Sequence, residues 1–329
     1  MEKYVSLLNE FDTQNAIALV KEKFANELCD NLDLSRVSAP LFVKKGSGLN
    51  DDLNGVERLV SFDILETGEE AEVVHSLAKW KRMALMKYGF PIHTGFYTDM
   101  NAIRRDEVCD NIHSIYVDQW DWEKIISAED RNIEYLKATV RSIYGSIVRT
   151  AKAVNEKYPQ IVPYLPDQIS FITSQELEDK YPTLTSKERE NAIVRECGAV
   201  FIMQIGCKLK SGNKHDGRAP DYDDWQLNGD ILVYNRVLDS ALELSSMGIR
   251  VDRESLIKQL KEENKEDRLK YEFHRLLVEG VLPLTVGGGI GQSRLCMYLL
   301  QKAHVGEVQV SIWPEKEILK CKSKGITLL

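Results

Sequence analysis

The sequence predicts an α+β fold, a mainly antiparallel sheet flanked by helices, on three observations. Strand-like runs cluster at 96–103, 114–122, 169–173, 199–205, 231–234 and 308–313. Helical periodicities fall between them irregularly, without the βαβα rhythm of a doubly wound parallel sheet. No Ser/Pro/Gly-rich linker, low-complexity block or internal repeat divides the 329 residues.

Taken in order, a first helix is predicted over 13–31, where Ile17, Val20, Phe24 and Leu28 recur at helical spacing. Pro40 then enforces an extended stretch over 37–43, because proline lacks the amide proton a helix needs. Val60, Phe62 and Ile64 alternate with polar neighbours as a half-buried strand does. The longest helix is expected over 131–157; its stripe runs from Ile133 through Val140 and Ile147 to Val154, and Pro159 stops it. Thr185 and Glu188 form a capping-box pattern opening a short helix toward Cys197.

Composition excludes several classes. With 43% hydrophobic and 29% charged residues the chain is globular, and 43 Lys+Arg against 51 Asp+Glu leave a net charge of -8. That balance gives no overall pull toward nucleic acid or anionic lipid. The N-terminus lacks the apolar core of a secretory signal, and no apolar run approaches a membrane span, so a cytoplasmic location is expected. The six cysteines form no C-x-x-C pair and no zinc-ligand spacing, so reduced, mostly buried thiols are expected.

Three segments carry chemistry. In the first, a charged turn around Arg104, Arg105, Asp106 and Glu107 joins two strands, where an arginine fork matches phosphate oxygens bidentately. An exposed hairpin with incidental charges is an equally good reading of the Arg-Asp-Glu turn alone. On the returning strand Gln119 and Asp121 share a face, an amide and a carboxylate suited to an amino acid's ammonium group. In the second segment, GGGIGQSR at 287–294 offers close backbone approach and a helix start, closed by Arg294 on the first helical turn. It is not a P-loop, since no Gly-Lys-Ser/Thr follows the glycines. The third runs from Asp221 to Val251: Asp230 and Glu243 supply hard oxygen ligands of the kind Mg²⁺ takes alongside nucleotide phosphates. Taken singly, Asp221, Asp223 and Asp224 read as solvated surface, Lys81 as an exposed helix lysine and His75 as a hydrogen-bonded core residue.

The phrases EVVHSLAKWKR at 72–82, VDQWDW at 117–122, RAPDYDDW at 218–225, ELSSMGIR at 243–250 and GGGIGQSR at 287–294 together resemble the ammonia-dependent asparagine synthetases, the A-type aspartate–ammonia ligases. The resemblance runs over essentially the whole chain. It implies the catalytic-domain fold of class II aminoacyl-tRNA synthetases, especially those for aspartate and asparagine, as one domain over 1–329 working as a homodimer. The 28–43 stretch resembles the dimer-forming motif 1 of that class. The Arg104 turn resembles motif 2, which would place Arg104 on the α-phosphate of ATP. The segment closing at Arg294 resembles motif 3, which would lay Arg294 against adenine and the terminal phosphates.

By the same resemblance Asp230 and Glu243 fall where Mg²⁺ and nucleotide are held. Asp51, Ser76, Lys81, Gln119, Asp121, Asp223, Ser246 and Arg250 match positions lining the aspartate and adenylate pocket, with Ser76 and Lys81 as handles for the free α-carboxylate. The passage from Trp225 to Asn228 is shorter than in some relatives.

The implied reaction joins L-aspartate and ammonia at the expense of ATP. The side-chain carboxylate attacks the α-phosphorus to give β-aspartyl-AMP and pyrophosphate, and ammonia then displaces AMP. Asp51 or Asp223 would hold ammonium and accept its proton. Residue 2 is Glu2, not the N-terminal cysteine of glutamine-dependent synthetases, so ammonia is the expected donor. Two rivals are a tRNA synthetase, for which nothing before residue 95 resembles a basic anticodon-binding barrel, and a synthetase-like regulator. Loss of Arg104, Arg294 or the carboxylates would have favoured the regulator, and all are present.

Overall fold

The computed structural model describes residues 4–51 and 57–329. Helix α1 (Glu10–Leu32) starts where Asn9 accepts the Asp12 amide at 2.8 Å, and buries Ala16, Val20, Phe24 and Leu28. Asp33, in the left-handed region at φ 57, turns the chain into β1 (Leu34–Arg36). A small antiparallel sheet follows, formed by β2 (Phe42–Lys44), β3 (Ser61–Ile64) and β4 (Glu69–Val73). Helix α2 (Ala78–Tyr88) leads to the long hairpin of β5 (Gly95–Ile103) and β6 (Tyr116–Ile125).

Helix α3 (Ile133–Lys157), capped by Asn132, is the expected long helix. Strand β7 (Ser170–Thr173), helices α4 (Ser174–Lys180) and α5 (Ser186–Cys197), and β8 (Ala199–Met203) come next; the Thr185–Glu188 capping box is present. Strands β9 (Asp223–Asn235) and β10 (Ser240–Arg250) form a second long hairpin. Helices α6 (Arg253–Glu262) and α7 (Glu272–Val278), strand β11 (Thr285–Gly291), α8 (Gln292–Leu299) and α9 (Glu315–Lys324) complete the chain.

Eight strands make one sheet in the order β1-β5-β6-β11-β10-β9-β8-β7. The expectation of a mainly antiparallel sheet needs correction: the sheet is mixed. Its six central strands are antiparallel, and both edges, β1 on β5 and β7 on β8, are parallel. Parallel neighbours need long crossovers, and here the small sheet with α2 supplies one and α4 with α5 the other.

The two faces of the sheet differ. One packs on α1 and α3, where Phe24 lies 4.7 Å from the Trp120 ring and Trp120, Trp122, Phe201 and Met247 enter the main core. On the other face Val200, Ile202 and Leu232 pack on α4 and α5 beside a polar cavity. Being covered on both faces, β8 reads as an unbroken apolar run.

Three further expectations change. The glycine-rich segment is a strand, β11, before it is a helix start. Residues 308–313 are not a strand: Val308 is buried, Val310 and Ile312 face outward, and no strand among the described residues pairs with them. The acidic run is not solvated, for Asp221, Asp223 and Asp224 are all buried. All six cysteines are free.

Candidate active site

The cavity, of about 400 Å³, opens on the face of the sheet away from α1 and α3. Strand β6 contributes Gln119 and Asp121, whose alternation places them on one face with Glu123, while Trp120 and Trp122 turn into the core. Strand β10 contributes Glu243, Ser246 and Arg250. A register shift between Glu243 and Ser245 sets Glu243 opposite Leu232 and Ser246 opposite Asp230. Residues three apart are thereby brought to one face, which a regular strand forbids.

Arg104 sits at the end of β5, its amide donating to Ile115 O at 2.8 Å and its guanidinium 3.6 Å from Glu107. Arg294 stands on the first turn of α8 and, among the described residues, its guanidinium makes only long contacts to the carbonyls of Ile112 at 3.4 Å and Glu243 at 3.3 Å. Both guanidiniums reach the cavity with most of their donors uncommitted. The α8 N-terminus itself is already served by an anion: the Ser293 amide donates to Asp118 Oδ1 at 3.0 Å.

Of the sites expected from the sequence, Asp51, Ser76, Arg104, Gln119, Asp121, Asp223, Glu243, Ser246, Arg250 and Arg294 all line this one cavity. Two lie behind its wall. Lys81 is fully buried beneath the floor, its ammonium donating to Asp121 Oδ1, to Trp122 O at 2.8 Å and to Gly288 O at 3.2 Å. With its three donors spent there it is no exposed helix lysine, and its reach is to Asp121 and not into the cavity. Asp230 is paired through Oδ2 with Arg218, and its Oδ1 is buried without a hydrogen-bond partner.

Charge is concentrated and largely paired within the wall. Arg250 grips Glu123 through Nε and Nη2 and meets Asp223 through Nη1. Burial pushes Glu123 up, but Arg250 and Lys81 outweigh it and the net shift is downward. Burial pushes Asp223 up despite Arg250. Asp230 is pushed up to about 6, chiefly by burial, with Arg218 opposing and Glu243 adding to the rise. Asp121 Oδ2 is buried with no hydrogen-bond partner among the described residues, an acceptor of the kind that receives an ammonium donor.

Sequence reasoning missed Glu123, Lys187, Asp216 and Arg218. Glu123 had a readable signal, since it continues the Gln119–Asp121 alternation. Lys187 and Asp216 come from α5 and the 204–222 connection, which only the fold brings to the cavity rim.

The fold is that of a class II aminoacyl-tRNA synthetase catalytic domain. The asparaginyl-tRNA synthetase of Pyrococcus horikoshii, complexed with asparaginyl-adenylate, superposes with a TM-score of 0.67 at 16% identity, over 92% of this chain and 70% of that one. For the Entamoeba histolytica asparaginyl-tRNA synthetase with the same adenylate the values are 0.65 and 15%, over 91% and 66%. The chain thus spans about two thirds of these synthetases' length.

The chain belongs to the aspartate–ammonia ligase family, whose model matches residues 11–325. It is 62% identical to the aspartate–ammonia ligase of Clostridium perfringens, over 99% of this chain and 97% of that protein. It is 61% identical to the enzyme of that name in Bacillus cytotoxicus, over 99% of each.

Proposed function

We propose that this enzyme makes L-asparagine from L-aspartate and ammonia with ATP, through a β-aspartyl-AMP intermediate, releasing AMP and pyrophosphate. One observation carries the reading. The two loosely held arginine forks, Arg104 and Arg294, share a single cavity with the amide and carboxylate pair Gln119 and Asp121. That combination suits a nucleotide and an amino acid held against each other.

A carboxylate is a poor electrophile, so the first step makes it an acyl phosphate. Arg104 would hold the α-phosphate and Arg294 the adenine and terminal phosphates, stabilising charge that gathers in the transition state. Aspartate would lie with its ammonium on Gln119 and Asp121, and with Ser76, Ser246 and Arg250 around its carboxylates. Lys81 would act through Asp121, fixing the carboxylate that meets the substrate. Asp51 or Asp223 would hold the incoming ammonium ion and take its first proton.

Asp230 and Glu243 would hold a magnesium ion: neighbouring strands present two carboxylates, and Asp230 Oδ1, behind the cavity wall with Oδ2 on Arg218, makes no hydrogen bond among the described residues. Mg²⁺ held there would neutralise phosphate charge. We further propose a homodimer joined through the 28–43 region, one catalytic domain over 1–329, and a cytoplasmic location with no nucleic-acid or membrane partner. No helix among the described residues is long and apolar enough to cross a membrane.

The test is incubation of aspartate, MgATP and ammonium with assays for AMP and asparagine. Equal amounts of the two are expected. ADP in place of AMP would overturn the adenylate route, full-rate synthesis from glutamine without ammonia would overturn the donor, and aspartyl-tRNA formed on adding tRNA would overturn the product.

A further inference from the structure

His75 lies between β4 and α2, is 3% exposed, and lines the cavity beside Ser76 and Arg104. Among the described residues neither of its ring nitrogens has a well-aligned hydrogen-bond partner. A buried histidine is ordinarily anchored through its ring. This one is held by its main chain: Asn50 Oδ1 accepts the amides of His75 at 2.8 Å and of Asp51 at 2.9 Å, while Asn50 Nδ2 donates to Val73 O at 3.0 Å. One asparagine thus ties the Asp51 backbone to that of His75, while the imidazole stands in the cavity wall near the carbonyls of Ile103 and Asp51.

The charged and polar groups around the ring come from three segments. Burial and the Arg104 guanidinium disfavour its charged form, while Glu57 and the main-chain carbonyls of Ile103 and Asp51, which the ring approaches, favour it. The balance falls below the ordinary histidine value, so the ring is neutral at pH 7. Arg104, the group assigned to the α-phosphate, is the cation that acts on it. The acyl phosphate would therefore lie within this neighbourhood.

We propose that His75 is the proton acceptor of the amide-forming step, an assignment that rests on the adenylate reading above. Ammonium loses two protons on its way to an amide, one to become ammonia and one after attack. The cavity carboxylates serve the first. In the second step the ammonia lone pair forms a C–N bond to the β-carbonyl carbon. The C–O bond to AMP breaks, its electron pair leaving on the phosphate oxygen, and the nitrogen passes one proton to an imidazole nitrogen of His75. The products are asparagine, AMP and an imidazolium whose charge the departing phosphate offsets.

The test compares wild type with His75→Gln and His75→Asn in three assays: aspartate-dependent ATP–pyrophosphate exchange, asparagine formation from ammonia, and hydroxamate formation from hydroxylamine. Hydroxylamine is uncharged at neutral pH and its adduct is acidic enough to lose its proton to water. Exchange should stay within about twofold and hydroxamate formation within about fivefold, while the ammonia reaction falls about 100-fold and loses its acid limb. An unchanged ammonia rate with intact exchange would overturn the assignment alone. Equal loss of all three activities in both variants would overturn it in favour of a structural role. Absence of exchange in the wild type, with ADP as product, would overturn the adenylate reading and the assignment with it.

Discussion

Arg250 on β10 clasps Glu123 on β6 across the intervening strand β11, with Nε to Oε1 at 3.0 Å and Nη2 to Oε2 at 2.8 Å. The pair can meet only because Gly287 stands between them. A Cβ there would come within 2.6 Å of Glu123 Cδ and 2.7 Å of Arg250 Nη2. Glu123 also accepts from Thr285 Oγ1 at 2.7 Å, so three strands are locked through one carboxylate. The remaining face of Arg250 is thereby aimed at Asp223 and the cavity.

Glu123→Ala should therefore act on stability and on the site together. Removing Glu123 leaves the buried Arg250 with only Asp223 facing it among the described residues and costs about 3–5 kcal/mol. Urea denaturation should show that loss, and the KM for aspartate should rise by at least about tenfold as Arg250 loses its anchor. An unchanged KM in the folded variant would detach Arg250 from aspartate binding.

Arg104 and Arg294 predict the opposite separation. Each makes few contacts with the protein: Glu107 at 3.6 Å for one, two carbonyls beyond 3.2 Å for the other. Arg104→Ala and Arg294→Ala should leave the free energy of unfolding within about 0.5 kcal/mol of wild type. Aspartate-dependent pyrophosphate exchange should fall by about 100-fold or more, as when a donor to a charged transition state is lost. A large stability loss with modest kinetic loss would reverse both roles.

What the sequence made legible was periodicity and chemistry within one element. The α3 stripe, the β5–β6 hairpin with its Arg104 turn, and the Gln119–Asp121 face could all be read from residue spacing. What was hidden depends on partners distant in sequence. Glu243 and Ser246 share a face only through an extra residue inserted against β9, and spacing alone cannot reveal a bulge. The glycines of 287–291 read as a loop because their strand is specified by what it must not touch. Residues 308–313 alternate as a strand does, yet Gln309 turns inward to donate to Ser293 Oγ at 2.9 Å, at the start of α8, and the segment takes no regular structure.

Gly287 and Gly289 should separate fold from function. Gly287→Ala drives a methyl group into the Glu123–Arg250 pair, which cannot retreat without breaking, and should destabilise the protein by about 1–3 kcal/mol. At Gly289 the Cβ would meet Gln119 Oε1 at 2.6 Å, the far end of a flexible side chain. Gly289→Ala should thus cost less than about 1 kcal/mol while raising the KM for aspartate, because Gln119 is pushed from its place. Equal stability losses in thermal unfolding would contradict this reading of β11.

Asp221 should govern part of the acid response. It is fully buried, with Arg268 Nη1 at 2.8 Å, His274 Nε2 at 3.0 Å and Lys79 Nζ at 3.6 Å. Burial pushes its carboxyl up, but Lys79, His274 and Arg268 together outweigh it and hold it well below the usual 3.8. A folded-state value below the unfolded one means the ionised group stabilises the fold above about pH 4, and that this contribution is lost as pH falls toward the depressed value. Asp221→Asn should lose about 3–5 kcal/mol at pH 7, since the buried Lys79 ammonium and the Arg268 guanidinium then lose the carboxylate they share. Wild type should lose stability steadily from pH 4 downward, whereas the variant, having no Asp221 titration left, should show a shallower slope. Urea midpoints measured at pH 7, 4 and 3 for both proteins decide the matter, and parallel curves across that range would show that the acid response arises at other carboxylates.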